Sequence, residues 1–137
     1  LATVTPAAGY IAPMSAIAIG LVAGMTCYAA IVWKGRFGYD DSLDVVGIHG
    51  VGGVIGILAT GLFASKVVNP GGADGLFFGN PGLFGIQLLV AAVTTIFSII
   101  GTFVILKLVD SMTGLRVSSE EEATGLDLSH HNERAYS

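Results

Sequence analysis

His49 is the residue of this sequence best placed to do chemistry. From Val45 to Ser65 the chain contains no Asp, Glu, Lys or Arg, and His49 is the one ionisable side chain in that run. About 20 apolar residues at ~1.5 Å each cross a bilayer, so the imidazole sits where an ionisable group is expensive and by default functional. A neutral imidazole donates from one ring nitrogen and accepts at the other, which equips it to handle a proton in a dry passage. Burial favours that neutral form. The competing reading is a packed histidine hydrogen-bonded to a neighbouring helix. Asp40, Asp41 and Asp44 precede the run. Carboxylates there suit the helix dipole and cap free N–H groups, which is the reading for Asp40 and Asp41; Asp44 falls within the first turns. His130 and His131 lack further ligands at metal spacing and read as surface residues. No metal or cofactor is expected.

The element that must position His49 is a glycine-rich helix. Residues three, four and seven positions on share a helical face, and here they are Gly52, Gly53 and Gly56, with Thr60 a turn further. Such a stripe lets helix backbones approach closely, or leaves room for a narrow lumen beside the histidine.

The rest of the chain divides around that helix. Residues 1–13 read as the end of a truncated helix and an external turn, broken by Pro6 and Gly9. A first full span covers 14–33 and ends at Trp33, an interfacial anchor or a packing residue. Residues 34–42 form a loop, 43–65 the His49 helix, and 66–82 a loop with turn signals at Asn69-Pro70-Gly71 and Asn80-Pro81-Gly82. A long span covers 83–110; its Thr94, Thr95, Ser98 and Thr102 read as packing groups. In the polar tail, 111–137, Ser118 to Glu122 reads as a capping box opening a short helix that Gly125 ends. Lys34, Arg36, Lys107 and Arg116 fall on one side of the membrane and Lys66 on the other. The positive-inside rule therefore makes 34–42 and the tail cytoplasmic and 66–82 extracytoplasmic.

Composition agrees. Hydrophobic residues make up 53% and charged residues 12% of the 137, about half the charge of ordinary soluble domains, and the mean hydropathy is +0.76. The net charge of −4 gives no reason to expect nucleic acid. Cys27 is the lone cysteine, so no internal disulfide can form. The chain starts at Leu1 without a methionine or a signal region and reads as the C-terminal portion of a longer protein.

Three ordered motifs carry a resemblance. The string from Asp40 to Gly53, followed by Thr60 to Ala64, resembles the tenth membrane helix of the ammonium transporter (Amt/Mep/Rh) family. Thr5 to Tyr10 is similar to the end of that family's eighth helix. Gly114-Leu115-Arg116-Val117, Gly125 to Ser129 and Glu133 to Tyr136 resemble its cytoplasmic C-terminus, in the pattern of the Amt branch. The resemblance implies an all-α polytopic membrane protein, the C-terminal part of an eleven-helix fold, and a transporter, not an enzyme. It implies that ammonium loses its proton and crosses as ammonia along a hydrophobic pore, in the cell inner or plasma membrane. His49 matches the second of two pore histidines and Val45 a valine lining the same lumen. Asp44, Gly52, Gly53 and Gly56 would support the pore, with Asp44 ordering the helices around its cytoplasmic end. A homotrimer is implied, as is a regulatory tail that carries Gly114, Arg116, Gly125, Asp127, Ser129 and Tyr136. A PII-type nitrogen regulatory protein could dock on that face. Alternatives are an ammonium sensor and a purely structural membrane-helix subunit.

Overall fold

The computed structural model describes residues 1–134, and among them every regular element is helical. Five α-helices follow in order: α1 (Pro13–Phe37), α2 (Gly52–Phe63), α3 (Pro81–Thr113), α4 (Ser119–Thr124) and α5 (Leu126–His131). A π-helical segment, Val46–Val51, leads directly into α2, and a short 3-10 turn, Thr5–Ala7, precedes α1. The chain separates into a unit of Leu1–Thr95 and a second from Ile96 onward, with the boundary inside α3. Three stretches are long and apolar enough to span a membrane: Pro13–Phe37, Val46–Phe63 and Pro81–Thr113.

In the first unit Pro13 opens α1, where its missing N–H costs nothing. The helix runs past Trp33, because Lys34 to Phe37 contain nothing that breaks it. Gly38 ends it at φ 64°, a left-handed conformation open to glycine, with its N–H donating to the Lys34 carbonyl. Within an apolar 18-residue stretch of each span, 33% of residues are buried in Val46–Phe63, against 11% in Pro13–Phe37 and 6% in Pro81–Thr113, so the His49 span is the most buried of the three. A small core of Ala7, Ile11, Ile19 and Ala59 joins the N-terminal segment, α1 and α2, with Phe63 packed against it.

The loop after α2 folds back on that helix. The Gly75 N–H donates to the Ala64 carbonyl at 2.7 Å, the Ser65 N–H donates to the Tyr10 carbonyl at 2.9 Å, and the Asp74 carboxylate accepts from the Lys66 N–H at 2.8 Å. Phe77 meets Phe63 with ring centroids 5.0 Å apart. The helix α3 begins at Pro81 and ends at Thr113, longer at both ends than the apolar run from 83 to 110. Its 33 residues reach about 50 Å at ~1.5 Å each, beyond a hydrocarbon core of about 30 Å.

In the second unit α3 ends against Gly114, at φ 75°, whose N–H donates to the Asp110 carbonyl. Ser118 and Glu121 form the expected capping box at the start of α4: the Ser118 hydroxyl accepts from the Glu121 N–H, and the Glu121 carboxylate accepts from the Ser118 N–H at 2.9 Å. Gly125, at φ 96°, separates α4 from α5.

Candidate functional site

His49 lies inside the π-helical segment Val46–Val51. A π turn closes i→i+5 hydrogen bonds, and single turns of this kind recur at functional sites. Its wide turn is easiest where side chains are small, and Gly47, Gly50, Gly52 and Gly53 crowd this stretch. Gly47 is buried against α1, where a Cβ would lie 2.9 Å from Ile31 Cγ1. The Cys27 thiol, also on α1, points at the Ile48 carbonyl at 4.0 Å.

Upstream, the turn is held by charge. Asp41 grips it with both oxygens: Oδ1 accepts from the Val45 N–H at 2.8 Å and Oδ2 from the Val46 N–H at 3.0 Å. Asp44 stands outside the helix, in the left-handed region at φ 55°, not within the first turns as the apolar run suggests. Aspartate is one of the few side chains that tolerates this conformation. Its carbonyl accepts from the Ile48 N–H at 2.9 Å, and its carboxylate pairs with Lys34. Lys34 Nζ also donates to the Asp41 carbonyl at 2.6 Å.

The glycine stripe divides in the structure. Gly52 and Gly56 are buried beneath the N-terminal segment: a Cβ at Gly56 would stand 2.1 Å from the Thr3 carbonyl oxygen, and one at Gly52 would stand 2.8 Å from Thr3 Oγ1. Gly56 serves close backbone approach, and Gly52 makes room for the Thr3 and Cys27 side chains. A Cβ at Gly53 would meet nothing within 4 Å. His49 and Val45 are exposed, as is Gly50. The π turn shifts the register by about one residue relative to an α-helix, so the imidazole and the buried glycines do not share one packed face. Two clefts flank α2, an apolar one of about 330 Å³ that includes Ile19, Leu62 and Phe77, and another of about 290 Å³ that includes Tyr10, Thr60 and Gln87. Neither is lined by His49 or Val45.

In the tail, Ser129 is exposed and its hydroxyl donates to the Gly125 carbonyl at 3.0 Å. Asp127 stands in the first turn of α5, with Oδ1 at 2.7 Å from where a Gly125 Cβ would be. Arg116 lies 3.7 Å from Glu122, and His130 3.9 Å from Glu121. Leu115 and Leu126 are about half exposed, at 46% and 50%. Tyr136 lies outside the described residues.

Two features escaped the sequence. The π turn left only the local density of glycines as a signal. The Lys34 bridge joins residues ten apart across a turn, where spacing says nothing about meeting.

The Ammonium Transporter Family pattern matches residues 1–136. An ammonium transporter of Bacillus subtilis is 48% identical over 137 residues, covering 99% of this chain and 34% of that protein. Ammonium transporter Amt1 of Archaeoglobus fulgidus is 49% identical over 136 residues, again 99% of this chain and 34% of the relative. The crystal structure of Mep2 from Saccharomyces cerevisiae superposes with a TM-score of 0.75 at 31% identity, covering 82% of this chain and 27% of that one. The chain thus spans about a third of the length of the curated relatives it matches.

Proposed function

This chain belongs to the ammonium transporter family, a family of multi-pass helical membrane proteins and not of enzymes, and from that premise we propose that it forms one wall of a path for ammonium nitrogen across the membrane. One observation carries the reading. His49 is exposed on a helix that carries no other ionisable group from Val45 to Ser65. Lipid is a poor neighbour for an ionisable side chain, so this face belongs against the rest of the protein or a lumen.

The chemistry follows from desolvation. A bare ammonium ion moved into an apolar passage costs far more than neutral ammonia, and charges in such places usually neutralise. In this reading ammonium gives up its proton to water at the mouth, before the dry section, and ammonia passes beside a neutral imidazole. His49 donates from one nitrogen and accepts at the other, and a second histidine from the remainder of the protein completes the pair. Val45, exposed one turn upstream, lines the same passage. Asp44 orders its cytoplasmic end, Gly53 leaves the space open, and Gly52 and Gly56 seat the helix.

In the full-length transporter, His49→Ala keeps assembly and alters the ratio of charge moved to ammonia moved. His49→Glu retains part of the transport, because a carboxyl can also donate and accept. Electrical current and ammonia flux measured together on the same vesicles test this, and an alanine variant unchanged in both removes His49 from the pathway. The reading extends to a homotrimer, and to a cytoplasmic tail that couples subunits and receives a PII-type partner through Gly114, Arg116, Gly125, Asp127 and Ser129. The uncovered Leu115 and Leu126 support a docking role there.

A further inference from the structure

We propose that Lys34 is a positioning residue for His49, acting as a clamp between the end of α1 and the π turn. The inference rests on the transport reading of His49. Its basis is a continuous set of contacts. Lys34 Nζ donates to the Asp41 carbonyl at 2.6 Å and pairs with the Asp44 carboxylate. Asp41 in turn holds the N–H groups of Val45 and Val46, the first of the π segment, and the Asp44 carbonyl holds the N–H of Ile48, the neighbour of His49.

The ammonium does two things a neutral side chain cannot do together. It neutralises Asp44, whose carboxylate would otherwise stand unpaired where the apolar run begins. It also ties Asp44 and Asp41 to one point on α1, which keeps Asp44 in its left-handed conformation. The same helix also touches the first half of the turn through Ile31 against Gly47 and Cys27 against the Ile48 carbonyl. The entry to the turn is therefore fixed to α1 at several adjoining points. Releasing the Lys34 contacts frees the backbone to relax toward α-helical closure, and that rotates His49.

The test is a double-mutant cycle in the full-length transporter. Lys34→Met, Lys34→Arg and His49→Ala are made singly, and Lys34→Met is combined with His49→Ala. Membrane abundance, current and ammonia flux are measured for each. A charge-assisted bridge of this kind leads us to expect Lys34→Met to cut flux by roughly fivefold or more. It should also shift the charge-to-ammonia ratio toward that of His49→Ala. Lys34→Arg should restore most of both, and Lys34→Met should add less than about twofold on top of His49→Ala. Equal losses in the two backgrounds overturn the proposal, because a general structural role acts whether or not the imidazole is present. If Lys34→Met fails to reach the membrane, Asp44→Asn, which tolerates the same backbone, breaks the same contact from the other side and is judged by the same criteria. A His49→Ala effect together with an unaltered Lys34→Met overturns the clamp alone. An unaltered His49→Ala overturns the transport reading itself.

Discussion

At the scale of single residues, composition and geometry divide the work between them. His49 stands out because nothing else from Val45 to Ser65 can ionise, and Asp41 behaves as a carboxylate before an apolar helix should. The glycines are less legible, since all look alike until their neighbours are known. Gly56 faces the Thr3 carbonyl at a distance no Cβ tolerates, while Gly53 faces open space. We expect Gly56→Ala to displace the N-terminal segment from α2 and destabilise the protein by about 1–3 kcal/mol, the range for overpacked cores. Gly53→Ala should leave folding intact. Thermal midpoints of the solubilised full-length variants measure both, and an unchanged midpoint for Gly56→Ala would count against the close packing.

At the scale of elements, the sequence shows where helices are better than where they stop. Apolar runs mark α1, α2 and α3. The run ending at Trp33 misses the last turn of α1, because the stop is the left-handed Gly38 and not the loss of hydrophobicity. The capping box of α4 was legible because all its parts lie within four residues. It also carries a pH dependence. The Ser118 hydroxyl and then the Ser118 N–H stabilise the Glu121 carboxylate, with a lesser contribution from nearby His130, and hold its pKa below the ordinary value of 4.5. A carboxyl depressed in the folded state stabilises the fold above its unfolded value, and that contribution is lost as pH falls through the lowered one. The start of α4 should therefore hold at pH 4.5 and fray only in stronger acid. Carboxyl-carbon NMR of Glu121 in the solubilised protein should give a midpoint below that of free glutamate. Ser118→Ala should return it toward the ordinary value, and a normal midpoint in the native tail would refute the assignment.

At the scale of the whole molecule, orientation is the property on which the tail's proposed role depends. Lys34 and Arg36 lie in the last turn of one membrane span, Lys66 follows the next, Lys107 lies near the end of the third and Arg116 follows it. By the positive-inside rule we propose that the tail lies in the cytoplasm and the 66–82 loop outside. Val67, at 93% exposure, is the better labelling site in that loop, since Asp74 holds the Lys66 N–H. In intact cells, a membrane-impermeant thiol reagent should label Val67→Cys and spare Ser119→Cys, both made in a Cys27→Ser background. The reverse pattern would withdraw the cytoplasmic tail and its PII-type partner together. The membrane-capable spans were legible because bilayer thickness acts on long segments. The division of small residues between packing and open space was not, because it depends on distances between segments far apart in the chain.

The π segment has one more consequence, and it concerns the residue count of the turn. A π turn holds about one residue more than the α-helical turn it replaces. Removing a single residue between Val46 and Val51 would restore regular helix with everything beyond it still in register, whereas straightening the turn at its full count would rotate everything beyond it by about 100° relative to Asp41 and Asp44. Gly52 and Gly56 would then swing away from Thr3 and carry the seat of α2 with them. The seat of α2 therefore depends on the turn keeping its π form, since a straightened turn with the same number of residues misplaces both glycines.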